Sequence, residues 1–148
     1  MGIRSALLFL VAALSGVQEE NLAAVAGVSL GAHHSIAAVY DNSKQVTLTG
    51  VVRAFRFVNP HPWVELDSRD DAGRVQTWRL ELDNRFELVQ VGMNAETLKP
   101  GDEIVVAGSA SREEASSLYV RKLDRPADGL SYEQVGSSPR FKGPLRPR

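Results

Sequence analysis

The sequence predicts a mainly β protein, in which a small five-stranded OB-like barrel with one short helix follows a signal peptide. The first observation is the length, since 148 residues are enough for one domain. The second is a series of short runs of alternating apolar residues, separated by turn residues, that begins near Val46. The third is the order of three strands, a helix and two strands, which is the order of an OB-fold. A small β-sandwich is the alternative, because periodicity alone does not determine closure.

Four segments are expected along the chain. They are a signal peptide with a spacer in residues 1–32, an N-terminal arm in residues 33–43, the barrel in residues 44–128 and a disordered basic tail in residues 129–148. The end of the tail contains Arg140, Lys142, Arg146 and Arg148, together with prolines and no acidic residue, which is typical of a disordered segment.

The N-terminus has the composition of a secretory signal. Arg4 gives a basic start, and an uninterrupted apolar run follows in residues 6–14. This run is too short to span a bilayer, so we expect a periplasmic or secreted protein with no transmembrane segment in its mature form. Cleavage could follow Ser15 or fall within the small-residue stretch 23–32. A buried N-terminal helix and an uncleaved anchor are the alternatives.

A long, bent first strand is predicted from a change of phase. Four residues at alternate positions share one face, and the apolar set then moves by one position to Phe55 and Phe57. Such a shift indicates a β-bulge, and a glycine among the four eases the bend. The four residues are Val46, Leu48, Gly50 and Val52.

Turn residues delimit the remaining elements. The Asn-Pro-His-Pro sequence of residues 59–62 precedes the second strand, and the Asp-Asp-Ala-Gly sequence of residues 70–73 precedes the third. Asn84 is expected to cap a short helix that ends at Gly92. The expected ranges are 63–67 and 75–82 for strands two and three, 84–91 for the helix, and 103–108 and 118–123 for strands four and five.

Composition excludes several classes of function. With 17 basic and 18 acidic residues the chain has no electrostatic footprint for nucleic acid. The lack of cysteine excludes disulfides, thiolate metal sites and a cysteine nucleophile. No phosphate-binding loop, dinucleotide fingerprint or zinc-protease motif occurs. Ser35 follows His34, but neighbours in sequence rarely face each other, so they do not predict a nucleophile and its base.

The three histidines are the candidate metal ligands. His33 and His34 are adjacent, and His61 stands between prolines that restrict its backbone. If cleavage follows Ala32, the amine and imidazole of His33 could chelate copper or zinc, with His61 as a third nitrogen ligand. Cleavage after Leu30 would place His33 third in the chain, which also suits Cu(II). Alternatively, these histidines are solvated or turn residues.

Tyr40, Trp63 and Glu81 are the candidate ligand-binding residues. Tyr40 and Glu81, together with Asp41 and Glu65, could supply oxygen atoms beside the histidines. Trp63 shares its strand face with charged residues, so it is expected to be more exposed than the tryptophan of strand three and could stack on a ring of a ligand. Alternatively, both tryptophans fill the barrel.

A set of short motifs runs in order from the arm to the fourth strand. The set comprises His33-His34-Ser35, Tyr40-Asp41, Asn59-Pro60-His61, Trp63, Trp78, Glu81 and Leu98-Lys99-Pro100-Gly101-Asp102. This ordered combination, over about residues 33–125, resembles a family of small exported bacterial proteins of unknown function. The resemblance implies export and a β-barrel, and it places the three histidines in the family's characteristic elements. It implies no activity, substrate or cofactor. The chain departs from the family pattern in the long stretch that precedes His33.

The sequence therefore predicts an exported binding or accessory protein rather than an enzyme. Its site would be lined by histidine and would take a metal such as copper or zinc, or a small ligand. The expected partners are that ligand or a periplasmic protein, and not nucleic acid. One alternative is an OB-type interaction module that binds a polymer or a protein through Trp63 without a metal. Another is an enzyme of unrecognised type that depends on copper.

Overall fold

The computed structural model describes residues 35–144. Within them the protein is mainly β, with seven strands and two short helices. The signal peptide, His33 and His34 lie outside the described residues. The elements are α1 (Ile36–Val39), β1 (Tyr40–Arg56), β2 (Trp63–Arg69), β3 (Val75–Glu81), α2 (Arg85–Gln90), β4 (Glu103–Ser111), β5 (Ser117–Arg125), β6 (Leu130–Val135) and β7 (Ser138–Lys142).

The strands form one sheet in the order β3-β2-β1-β4-β5-β6-β7, with antiparallel neighbours. The 17-residue β1 pairs through its first part with β4 and through its last part with β2. A further pairing joins β3 to β5 in parallel, where Leu80 is opposite Leu118 and Glu81 is opposite Tyr119. This last pairing brings the end of β3 against the start of β5, on which the candidate site depends.

The β-bulge expected in β1 is confirmed. The register with β2 shifts between Val52 and Ala54, at the point where the apolar pattern of the sequence changes phase. Gly50 lies just before it, opposite Ser68 of β2. A Cβ at Gly50 would come within 2.5 Å of the carbonyl oxygen of Asp67, so the glycine is needed for the close approach of the two strands.

Alternate residues of the strands face one apolar core, as the two-residue period of a strand requires. In β2, Val64 and Leu66 are fully buried, whereas Trp63 and Glu65 are half-buried on the other face. Trp78 of β3 is partly buried and packs against this core. The buried members are Val52, Val64, Leu66, Leu80, Leu82, Leu88, Met93, Leu98, Ile104, Val106, Leu118, Val120, Leu123, Leu130 and Tyr132.

The helix α2, Arg85–Gln90, lies within the predicted range 84–91, and Asn84 is its N-cap as expected. Asn84 accepts a hydrogen bond from the backbone N–H of Glu87 at 2.9 Å, which satisfies one of the free donors of the first turn. Gly92 follows the helix with a φ of 99°, a conformation that favours glycine and ends the helix. The helix contributes Leu88 to the core.

Residues 130–142 form two strands, so the expectation of a disordered tail from residue 129 is wrong for this stretch. Leu130, Tyr132 and Gln134 are buried at alternate positions of β6, which pairs with β5. The phenol of Tyr132 donates a hydrogen bond to Oε1 of Gln134 at 2.7 Å. Burial against the rest of the fold thus orders a segment whose own hydrophobicity is low. The sheet consequently has seven strands where five were expected.

Part of the segment expected to be an N-terminal arm belongs to the sheet. Strand β1 begins at Tyr40 rather than near residue 44, and Tyr40 is opposite Ser111 of β4. The short helix α1 comes directly before it. Tyr40 is buried, with 3% of its surface exposed. This burial of an aromatic ring explains why the strand extends back to residue 40.

Candidate functional site

Glu81 is the point at which two other candidate residues meet. It ends β3, Tyr40 begins β1, and His61 lies in the loop before β2. The phenol of Tyr40 donates a hydrogen bond to Oε2 of Glu81 at 2.6 Å. Oε1 of the same carboxylate lies 3.7 Å from Nδ1 of His61. Three residues that the sequence singled out separately therefore form one cluster, which we call the Glu81 cluster.

Tyr40 acts in this cluster as a hydrogen-bond donor. Burial raises the pKa of its phenol well above the usual range, and the hydrogen bond to Glu81 raises the pKa further. The phenol therefore stays protonated at neutral pH. Its role is to hold the Glu81 carboxylate in place, and a phenolate–metal bond is not favoured there.

His61 is held by its Nδ1 atom. This atom lies 3.2 Å from the carbonyl oxygen of Leu82, which can only accept a hydrogen bond, so we assign the ring proton to Nδ1. The neutral imidazole then has its free lone pair on Nε2. The side chain is 32% exposed. A histidine whose second nitrogen donates to a backbone carbonyl has the arrangement common among metal ligands.

Trp63 is less available than the sequence suggested. It is half-buried and is opposite Glu81 in the β2–β3 pair. The guanidinium carbon of Arg79 lies 4.1 Å from the centroid of its ring, a cation–π contact that covers one face. A ligand could therefore stack only on the remaining surface.

The other candidate oxygen ligands have partners of their own. Oδ2 of Asp41 lies 3.2 Å from Nη1 of Arg112, and Oε1 of Glu65 lies 3.8 Å from Nε of Arg56. Neither carboxylate contacts His61 among the hydrogen bonds and ion pairs of residues 35–144. Across the same residues no group of three or more histidine, aspartate and glutamate side chains is placed to hold a metal ion.

A polar pocket of about 350 Å³ lies beside the Glu81 cluster and was not predicted. It is bounded by Ser35 and Ile36 at the start of the arm and by residues near the β6–β7 turn. The polar residues that line it include Asn42, Asp83, Glu87, Tyr119, Arg121 and Gln134.

The pocket and the Glu81 cluster share a wall. Tyr119 lines the pocket, is opposite Glu81 in the parallel β3–β5 pair, and has its ring centroid 5.7 Å from that of Tyr40. Arg121 lies two residues after Tyr119 on the same face of β5, and Asp83 lies two residues after Glu81, just beyond the end of β3. The alternation of these residues is visible in the sequence, but only the parallel pairing brings the two strands together.

Comparisons with known proteins give a family and no activity. The model of a family of unknown function, DUF6152, matches residues 21–118. No curated protein matches. A chain in the crystal structure of a complex of TiaS with a tRNA and ATP is similar at 14% identity with a TM-score of 0.42; the match covers 73% of this chain and 30% of that one. A likeness this distant supports no conclusion about fold or function. In the part of the chain that the structure describes, no helix is long and apolar enough to cross a membrane.

Proposed function

Since the chain belongs to the family of unknown function DUF6152, its activity has to be inferred from its own residues, and we propose that it is an exported binding or accessory protein with a copper- or zinc-binding site at His61. Export rests on the basic and apolar N-terminus, which has the length and composition of a signal peptide. The site rests on the Glu81 cluster. No catalytic step is assigned to the protein.

The observation that carries the proposal is the convergence at Glu81. Tyr40, His61 and Glu81 come from separate segments, yet one carboxylate contacts the phenol at 2.6 Å and lies 3.7 Å from the imidazole. The carbonyl of Leu82 orients the ring so that Nε2 of His61 keeps its lone pair. A negative carboxylate beside an oriented imidazole favours a bound cation electrostatically.

The arm would supply the other ligands. Ser35, which follows His34 in the sequence, lines the pocket whose wall the Glu81 cluster shares. If export removes residues 1–32, the free amine and the imidazole of His33 add two further nitrogen ligands. Sites rich in nitrogen bind Cu(II) more tightly than other divalent first-row metals.

We also interpret strands β1 to β5 as an OB-like barrel to which β6 and β7 are added. The order of three strands, a helix and two strands supports this interpretation. So does the parallel pairing of β3 with β5, since it joins the two ends of the β3-β2-β1-β4-β5 series. In such a barrel the Glu81 cluster lies where the series closes on itself.

Metal titration of the exported protein without an affinity tag tests the site. We expect Cu(II) and Zn(II) to bind to the wild type, and His61→Ala to weaken binding about tenfold or more, as loss of one ligand requires. Glu81→Gln should weaken binding to a smaller extent, because it removes a charge near the metal and no direct ligand. Glu65→Gln is the matched control, a half-buried carboxylate on the same face that already lies near Arg56.

Two results would overturn this assignment. Metal affinity that is unchanged in His61→Ala would remove His61 from the site. A mature N-terminus well upstream of Leu30, determined by N-terminal sequencing, would exclude both chelates that use the terminal amine. If the wild type binds neither metal, the interaction module that uses Trp63 becomes the better interpretation.

A further inference from the structure

Three charged side chains line the polar pocket, and none of them has an ion pair within residues 35–144. They are the basic residue Arg121 and the acidic residues Asp83 and Glu87. Elsewhere in the same fold a half-buried charge is compensated: Arg125 lies 2.5 Å from one carboxylate and 2.8 Å from another. The three charges of the pocket lack such compensation and line one pocket.

The positive side of the pocket is held firmly. Nη2 of Arg121 donates a hydrogen bond to Oδ1 of Asn42 at 2.8 Å, and its Nε donates to Oγ of the fully buried Ser109 at 3.4 Å. Its guanidinium carbon lies 4.8 Å from the centroid of the Tyr119 ring. A guanidinium has five N–H donors, so these contacts position Arg121 and leave donors for an anionic group.

The negative side is formed by two carboxylates. Oδ2 of Asp83 accepts a hydrogen bond from the amide of Gln134 at 2.7 Å, which fixes the side chain and leaves its charge uncompensated. Oε2 of Glu87 is buried and has no hydrogen-bond donor within the described part of the chain. A buried carboxylate oxygen without a donor is unfavourable, because it has lost its hydrogen bonds to water and forms none with the protein.

All three charges act on the side chain of Tyr119, which also lines the pocket. Burial raises the pKa of its phenol, the carboxylates of Asp83 and Glu87 raise the pKa further, and the guanidinium of Arg121 lowers it. The positive and negative groups therefore lie within electrostatic reach of the same hydroxyl. The pocket is open to solvent and has a volume of about 350 Å³, which suits a small molecule.

We propose that this pocket binds a small zwitterion, with its carboxylate on Arg121 and its ammonium group on Asp83 and Glu87. The ammonium would lie beside Asp83 and Glu87, the two acidic residues of the pocket lining. The ligand class is that of amino acids, ω-amino acids and short peptides with both termini free. His61 is not among the residues that line this pocket, and the proposed ligand needs no metal.

Calorimetry on the exported, tag-free protein tests the proposal, with EDTA present to keep metals out. The probes are glycine, β-alanine, γ-aminobutyrate and glycylglycine, whose charges stand at increasing separation. We expect at least one to bind, and its N-acetyl derivative and its amide to bind about tenfold more weakly or worse, since each lacks one charged contact. Failure of all four probes to bind at millimolar concentration would overturn the proposal, as would equal binding of the singly charged analogues.

Substitutions test which residues bind the two charged groups of the probe. Arg121→Gln should weaken the best probe about tenfold or more, and Asp83→Asn should do the same, because each leaves one charge of the probe unpaired. Arg112→Gln is the control, since Arg112 pairs with Asp41 outside the pocket lining. His61→Ala should leave probe affinity unchanged, which separates this proposal from the metal site. If a pocket variant fails to fold, the analogues on the wild type still decide the outcome.

Discussion

At the scale of single residues, the candidate site is centred on one carboxylate. Glu81 accepts from the buried phenol of Tyr40 and lies beside the oriented ring of His61. The sequence predicted all three as candidate site residues because their side chains carry nitrogen or oxygen atoms that can bind a metal or a ligand. The sequence did not predict Asp83, Glu87 or Arg121 as site residues, because charged residues are usually solvated. Only the fold brings these three residues to the lining of one pocket.

Replacing Tyr40 by phenylalanine tests the hydrogen bond to Glu81. The change removes a bond to a charged group while the ring remains, so we expect the free energy of unfolding to fall by about 1–3 kcal/mol. Tyr119→Phe is the matched control, because Tyr119 is equally buried and its phenol has no hydrogen bond among the described residues; its effect should stay within about 0.5 kcal/mol. Urea unfolding measures both variants, and equal losses would contradict the role given to Tyr40.

At the scale of elements, the sequence predicted the features that are marked by a local residue pattern. The phase shift in β1 located the bulge, and Asn84 and Gly92 located the ends of α2. Strands β6 and β7 lack such a signal. One of the three inward positions of β6 is Gln134, which is satisfied by Tyr132 and Asp83 and not by apolar packing. In the sequence alone, a strand with a buried polar residue cannot be distinguished from a solvated segment, because the hydrogen-bond partners of that residue are not known.

Replacing Tyr132 by alanine shows whether β6 belongs to the core. Its side chain is 1% exposed, so truncation should leave a cavity and lower the free energy of unfolding by about 3–5 kcal/mol. Val135→Ala, at a position in the same strand that is 40% exposed, should cost less than about 1 kcal/mol. A disordered tail would tolerate both changes equally, and that result in thermal or urea unfolding would contradict the seven-stranded sheet.

At the scale of the whole molecule, the arrangement depends on a contact that no local pattern shows. The parallel pairing of β3 with β5 joins segments almost forty residues apart and sets the Glu81 cluster beside the polar pocket. The order of elements made an OB-like barrel a reasonable expectation, but strand periodicity is the same in an open and in a closed sheet. The position of the site therefore had to come from the structure.

Alkaline unfolding tests the packing of the whole fold. Burial raises the pKa values of Tyr40, Tyr119 and Tyr132 above the value of about 10 for an exposed tyrosine. The folded protein therefore keeps protons that the unfolded chain releases above about pH 10. The stability that these groups contribute is present below that pH and is lost as the pH rises further.

Tyrosinate absorbance, followed together with circular dichroism, measures this behaviour. We expect the absorbance of the three buried tyrosines to appear only as the fold is lost, with a release of about three protons on unfolding. The free energy of unfolding should fall steeply over the same pH range. Titration of all tyrosines near pH 10 while the fold is intact would contradict the burial described here.

The central claim is that His61 is a metal ligand. Pulsed electron paramagnetic resonance of the Cu(II)-loaded protein tests this claim most directly, because the spectrum shows how many imidazoles are bound to copper. We predict that the wild type, loaded with one equivalent of Cu(II), shows coordinated imidazole, and that His61→Ala shows one imidazole fewer. An identical spectrum in His61→Ala, or a wild-type spectrum without imidazole, would contradict the claim.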